Sequence, residues 1–274
     1  MAREDLTNEV VAAFADAPDP RARELAQAAV RHLHAFAVEV GFTREEWKAG
    51  IDFLTAIGHI TTETRQEFIL LSDTIGLSSL VESLAASGGG TQHTVLGPFY
   101  VPGSPRREMG SSILVDEDPG ERVEISGRVL GPDGTPLRAT LDVWQNASNR
   151  LYAVQDPAQS PDNLRGVFET GDDGAFRFLT VRPVPYQVPH DGPVGAMLAA
   201  TARHPWRPAH IHFIVTAPGF VPLVTHVFDA ASEYLDSDAV FGVRDGLSVS
   251  FDGGRPTFDF ELEREVAGAL HEAG

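Results

Sequence analysis

The chain has 274 residues, 42% of them hydrophobic, with 39 acidic side chains against 21 Lys and Arg, a formal charge of −18 and no cysteine. That length admits one large domain or two smaller ones with buried cores. The missing thiols exclude disulfides, iron–sulfur clusters and cysteine nucleophiles and leave His, Tyr, Asp and Glu as metal donors, while the acidic balance argues against nucleic acid as a partner. No run approaches the roughly 20 apolar residues of a membrane span. The charged start, Met1-Ala2-Arg3-Glu4-Asp5-Leu6, lacks a signal-peptide stretch, so the expectation is a cytoplasmic protein away from membranes.

To about residue 87 the pattern is helical. Leu25, Ala28, Ala29, His32, Leu33 and Phe36 recur at helical spacing. The first 20 residues, acidic and without such a stripe, are expected to fray, as are the last few. Thr43-Arg44-Glu45-Glu46 has the form of a capping box and predicts a helix carrying Trp47, Ile51 and Leu54 on one face. A third apolar segment runs from Phe68 to Leu80, and Ser87-Gly88-Gly89-Gly90 marks a break.

Beyond the break the grammar is β. Val123, Ile125, Gly127 and Val129 alternate with polar residues, as do Ala139, Leu141 and Val143 after the turn cluster at 131–136. Phe176 and Phe178 mark a short strand, residues 210–215 another, and Asp252-Gly253-Gly254 separates the last two. Short strands between turn clusters predict a β-sandwich. The Pro- and Gly-rich stretch 182–208 reads as a long connection of the kind that carries function. The fold class is therefore α+β, mainly β, with a helical domain over 1–90 and a β-sandwich catalytic domain over 91–274.

His210 and His212 are two apart on a strand, so both imidazoles share a face. Spacing alone leaves open a pair of metal ligands or two partly exposed strand histidines. There are four tyrosines, at 100, 152, 186 and 234. A phenolate is a hard anionic donor suited to ferric iron, and a phenol with a pKa near 10 needs a strong cation nearby to ionise at neutral pH. Two His and two Tyr would make a coherent ferric site, although spacing does not select which tyrosines.

Several segments resemble the intradiol ring-cleavage dioxygenases. They are Leu96-Gly97-Pro98-Phe99-Tyr100, Leu141-Asp142-Val143-Trp144-Gln145, Asn163-Leu164-Arg165-Gly166-Val167-Phe168 and Asp191-Gly192-Pro193-Val194-Gly195. Arg203-His204-Pro205-Trp206-Arg207-Pro208-Ala209-His210-Ile211-His212-Phe213, Thr225-His226-Val227-Phe228 and the 234–243 segment complete the match. Trp-Gln, Arg-Gly-Val-Phe, the Arg-His-Pro-Trp lead-in and Asp-Ala-Val-Phe-Gly resemble the hydroxyquinol branch rather than the catechol branch. The resemblance implies one Fe(III) per chain held by Tyr152, Tyr186, His210 and His212, with Tyr186 leaving the iron when substrate binds. It implies that Arg207 lies by the bound diolate and that Leu70, Asp73, Val95, Leu96, Gly97, Pro98, Phe99, Val188, Pro189 and Val240 line the substrate pocket. Asp73 is the candidate partner for the third hydroxyl of hydroxyquinol. It further implies a homodimer through the helical part, with a lipid in the apolar seam.

The rivals are a catechol 1,2-dioxygenase of the same fold, a non-catalytic β-sandwich binding module, and a zinc hydrolase using the two histidines. Only pocket residues and turnover separate the first, the second should have lost a ligand, and the third leaves the tyrosines unexplained. For His226, where the catechol branch tends to have Gln, support of a ligand and a plain strand role both stand. His190 and His204 read as solvated loop residues, Asp236 and Asp238 as turn or helix-start residues, and Trp144 and Trp206 as packing.

Overall fold

The computed structural model describes residues 3–85 and 89–265. Of the expected Ser87–Gly90 break, Ser87 and Gly88 lie outside the described residues, and so do the final nine. The described chain forms two compact units, Met1–Ala56 and Ile57–Gly274.

In the first unit, α1 (Arg3–Ala12) pairs with α2 (Pro20–Glu39). The α1 segment is helical where fraying was expected: its stripe is weak, and its order comes from tertiary contact with α2. Asp19 caps α2, its carboxylate accepting from the Arg21 amide at 2.8 Å ahead of Pro20 at the first turn. Helix α3 (Arg44–Ile60) begins on the predicted capping box. The Thr43 amide donates to Glu46 Oε2 at 2.9 Å, and the Glu46 amide to Thr43 Oγ1 at 3.1 Å.

In the second unit, the apolar segment Phe68–Leu80 falls into two helices, α4 (Glu67–Thr74) and α5 (Leu77–Ala85). Gly76, at φ +77°, makes the break, a conformation that an L side chain resists. The sandwich has two main sheets. One holds β10 (Phe260–Glu261), β1 (Arg122–Leu130) and β4 (Ala175–Val181) in that order. The other holds β3 (Arg165–Glu169), β2 (Thr140–Trp144), β7 (His210–Thr216), β8 (Leu223–Asp229) and β9 (Ser248–Val249). Inward residues of both sheets form one core that includes Ile125, Phe178 and Phe260 from the first and Leu141, Phe168 and Phe213 from the second. Phe168 stacks on Phe178 at 5.3 Å and Phe213 meets Phe260 at 4.9 Å. Each fully buried Phe contributes roughly 1.5–3 kcal/mol.

The stretch 182–208 is more ordered than its composition suggests. It contains β5 (Tyr186–Gln187), α6 (Pro193–Ala200) and β6 (Trp206–Arg207), with β5 and β6 paired as a two-stranded ladder. Gly195 permits α6 to lie on the loop before it, because a Cβ there would sit 2.0 Å from the His190 carbonyl oxygen. Backbone cannot yield as a side-chain tip can. Gly195→Ala is therefore expected to destabilise the chain by at least about 1–3 kcal/mol in urea denaturation.

Candidate active site

Four short elements bring the predicted ligands together. On β7, His210 and His212 share the face that the alternation predicted. The β5–β6 ladder sets Tyr186 directly opposite Arg207. Tyr152 comes from the turn after β2, where its amide donates to Gln155 Oε1 at 3.1 Å and its carbonyl accepts from the Gln155 amide at 2.8 Å. Trp144, opposite His212 in the β2–β7 ladder, stacks on that ring at 4.6 Å, so its packing role holds and orients the imidazole.

The donor atoms converge in a fully buried cluster. His210 Nε2 lies 3.1 Å from His212 Nε2, and Tyr152 Oη lies 2.9 Å from His212 Nε2. His210 Nδ1 donates to the Pro208 carbonyl at 2.7 Å, which leaves Nε2 as an acceptor aimed into the cluster. Arg207 Nη1 donates to Tyr186 Oη and to His210 Nε2, each at 3.2 Å. Burial lowers the pKa of His210 and His212 well below the usual imidazole range, helped at His210 by Arg207 and at His212 by His210 and Arg207, so both stay neutral. Burial raises both phenols: Tyr186 adds to the rise at Tyr152, whereas Arg207 opposes it at Tyr186. Two neutral imidazoles and two phenols that only a strong cation could ionise in this dry setting fit a hard trivalent metal.

His226, on β8 opposite His212, completes a group of three buried imidazoles whose nitrogens lie within 4.8 Å of one another. Its ring stacks on His210 at 4.5 Å and its Nδ1 lies 3.5 Å from Arg207 Nη2, while Nε2 has no hydrogen-bond partner. Of the two readings left open by the sequence, this contact with a predicted ligand favours support over a plain strand residue.

Asp238 departs from its expected role as an ordinary turn residue. It is 5% exposed and grips the 1%-exposed Arg207 in a two-point ion pair, at 3.0 Å to Nε and 3.2 Å to Nη2. Its neighbour Asp236 is exposed, as a turn residue should be. The sequence signal was present in Asp-Ala-Val-Phe-Gly, but nothing local tells a buried aspartate from a solvated one. His190 is exposed as expected, whereas His204 is half-buried and accepts from the Trp206 amide at 3.2 Å.

A cleft of about 550 Å³ opens beside the cluster. One wall runs from Thr64 to Leu70, the other from Gln187 to Asp191, with Phe99 and Trp206 between them. Phe99 stacks on Tyr152 at 4.8 Å and meets Tyr186 edge-on at 6.2 Å, so one ring joins cleft and ligand cluster. The walls are tied together by Arg65, which clasps Asp191 at 2.8 and 3.0 Å and reaches buried Glu67 at 3.3 Å. Glu67 in turn accepts from the Val194 amide in the first turn of α6 at 3.2 Å, where the helix dipole favours an anion.

A family model described as "Dioxygenase" matches residues 95–261, and one described as "Catechol dioxygenase N terminus" matches 19–88. A 6-chlorohydroxyquinol 1,2-dioxygenase of Cupriavidus pinatubonensis is 48% identical over 246 residues, covering 89% of both chains. This chain belongs to the intradiol ring-cleavage dioxygenases, in their hydroxyquinol branch. A hydroxyquinol 1,2-dioxygenase of a Rhizobium species is 46% identical over 88% of this intradiol dioxygenase and 83% of its own length. The solved hydroxyquinol 1,2-dioxygenase of Pseudomonas putida DLL-E4 superposes with a TM-score of 0.88 at 43% identity, covering 96% and 99% of the two chains.

Within this intradiol dioxygenase, Leu70, Pro98, Phe99, Val188 and Pro189 line the cleft. The other predicted pocket residues are not among those lining it. Gly97 sits against the His212 ring, where an added Cβ would stand 3.4 Å from Cε1. Val95 and Val240 are buried, and Leu96 is 37% exposed. Asp73 is buried, with Oδ2 unpartnered. Sequence reasoning missed Arg65, Gln187 and Arg150 on the cleft walls, since no motif marks them.

Burial raises the Asp73 carboxyl to about 6, against the opposing pull of Ser78 and Arg207 and with a further push from Asp238. The folded state thus holds this proton more tightly than the unfolded chain does. The associated stability is present at low pH and is lost as pH rises from about 4 through about 6, a change on the order of 3 kcal/mol. Asp73→Asn is expected to be more stable than the parent above pH 7 by about 2–3 kcal/mol, with little difference at pH 4. Guanidinium titrations at the two pH values check this, and equal stability at both would remove the effect.

Proposed function

We propose that this intradiol dioxygenase opens hydroxyquinol with dioxygen between its adjacent hydroxyl-bearing carbons, giving 3-hydroxy-cis,cis-muconate, the enol of maleylacetate. Atoms balance, since both oxygen atoms enter the product and no reductant is needed. One ferric ion would be held by Tyr152, Tyr186, His210 and His212. The observation that carries this reading is the convergence of those donors with Arg207, beside a cleft with ample room for an aromatic ring. When bound, such an ion supplies Lewis-acid capture of both diol oxygens and renders the ring reactive toward dioxygen.

The chain's own residues do the rest. The diol must lose two protons; Tyr186 Oη, as a phenolate, can accept one, and the other passes to solvent water or hydroxide. Arg207 Nη1, permanently charged, stabilises negative character on the ring oxygens without giving up its own proton. Leu70, Phe99 and Val188 hold the ring and exclude water. Asp73 is the carboxyl available to the third hydroxyl, whose burial without a partner would cost about 1–3 kcal/mol. Asp73→Ala should lower the ratio of hydroxyquinol to catechol kcat/KM by about tenfold or more. An unchanged ratio takes Asp73 out of substrate recognition, and a parent that prefers catechol favours the catechol reading.

We further propose that the helices pair two copies of the chain, with residues 1–90 as the dimerisation part and 91–274 as the catalytic part. Helix α2 buries none of its residues, and Leu25, Leu33 and Phe36 on it are each about half exposed or more. A groove of about 420 Å³ lined by Leu6, Ala37, Val38, Gly41 and Phe42, with the hydrogen-bonded pair Thr7 and His34 in its wall, has room for an acyl chain. Among the described residues no helix is long and apolar enough to cross a membrane.

The test of the metal reading is the visible spectrum of the iron-loaded protein, before and after anaerobic hydroxyquinol. A red phenolate-to-iron band that shifts to longer wavelength with the diol supports it. A colourless protein with iron confirmed would remove Tyr152 and Tyr186 from the metal and favour a histidine-only site.

A further inference from the structure

Arg207 is a side chain that could reach its targets in many ways, yet the structure leaves it one. Its guanidinium is fully buried and shares its donors along two edges. Nε and Nη2 face Asp238, and Nη1 faces Tyr186 and His210. Because a guanidinium is planar, fixing two nitrogens fixes the third.

Asp238 is itself held rigidly. Besides the two Arg207 contacts, it accepts from the Val240 amide at 3.3 Å and the Gly242 amide at 3.0 Å. The loop supplying these amides is pinned from outside. Ser79 Oγ donates to the Phe241 carbonyl at 2.7 Å, Thr94 Oγ1 to the Gly242 carbonyl at 2.6 Å, and Arg203 Nη2 to the Ala239 carbonyl at 2.9 Å. Phe241 is bent to φ +55°, which a bulky residue adopts only when its surroundings over-determine it. Gly242 completes the mould, because a Cβ there would lie 2.8 Å from Arg207 Nη2 and 3.1 Å from Asp238 Oδ2.

We propose that Asp238 is a positioning residue that sets the plane of the Arg207 fork, and that the 238–242 loop is a preformed mould holding this pair at the register which aims Nη1 at Tyr186 and His210. The inference rests on the reading of Arg207 as facing the substrate. It assigns a catalytic consequence to Asp238 and Gly242, which act on the cluster through Arg207.

Two variants test it on the iron-loaded protein. Asp238→Asn replaces one acceptor oxygen by an amide that faces a guanidinium N–H. Gly242→Ala changes no charge and requires no left-handed backbone, yet pushes on Nη2. In each, kcat and KM are measured separately, 4-nitrocatechol is titrated anaerobically by its optical shift, and iron content is determined. Both are expected to keep their iron, to lose about tenfold to 100-fold in kcat, and to bind 4-nitrocatechol about tenfold more weakly, as a small misplacement of a reacting group predicts. If Asp238→Asn does not fold, Gly242→Ala decides alone. Variants that fold, turn over and bind within twofold of the parent would overturn the proposal while leaving the parent's ring cleavage intact. A parent that neither binds the probe nor opens a diol overturns the proposed function, and this inference with it.

Discussion

Arg207→Lys is expected to lower kcat/KM for hydroxyquinol by about 100- to 1,000-fold, the range seen when one preorganised donor to a developing anion is lost. Lysine keeps the charge, so Asp238 is not left buried without a counter-ion. What goes is the fork: a single ammonium cannot satisfy both Asp238 oxygens and still reach Tyr186 Oη and His210 Nε2, each 3.2 Å from Nη1. Arg207→Ala has a second effect. It strands a carboxylate that is 5% exposed, with an expected destabilisation of about 3–5 kcal/mol. Steady-state kinetics beside urea denaturation separate the two. Near-parental turnover in Arg207→Lys would mean that charge alone suffices there and that fork geometry has no catalytic weight.

His210→Ala is expected to abolish turnover and to weaken iron binding by more than about 100-fold, the upper range for losing even an outer partner of a ligand. The paired variant His226→Gln discriminates between two ligand sets. Three histidine nitrogens lie within 4.8 Å of one another, so a histidine-only centre would lose its metal as readily through His226 as through His210. With the tyrosine-containing set, His226→Gln should retain iron to within about tenfold of the parent affinity. It should change the site mainly through the lost contact with Arg207, at 3.5 Å, and the lost stacking on His210. Metal analysis after dialysis against a graded chelator gives the comparison directly. Equal losses in the two variants would move His226 into the metal shell.

What was legible in the sequence was what depends on local rules. The period-two alternation of 210–215 placed His210 and His212 on one buried face, and the Thr43–Glu46 pair marked the start of α3 to the residue. The Phe68–Leu80 segment shows the limit. Its apolar residues continue on both sides of Gly76 without marking the break there, because a glycine within a helical pattern is ambiguous. Helix α6 went unread and β8 entered only as one of two readings of His226, since their order depends on partners distant in sequence: His190 and Glu67 for the first, β7 for the second. The same holds for the site. Resemblance named Tyr152 and Tyr186, which spacing could not, but Asp238 became visible only when the fold set it against Arg207 across 31 residues. A buried ion pair is a tertiary fact: both partners lie in segments that carry the resemblance, but neither segment shows that the two side chains meet.

The measurement that tests the central claim most directly is product analysis after turnover of hydroxyquinol in 18O2 by the iron-loaded protein. The expected product is 3-hydroxymuconate or its maleylacetate tautomer, with both labelled atoms incorporated, one in each new carboxyl group. A product bearing an aldehyde, a product with one labelled atom, or unreacted hydroxyquinol would contradict intradiol cleavage at this site.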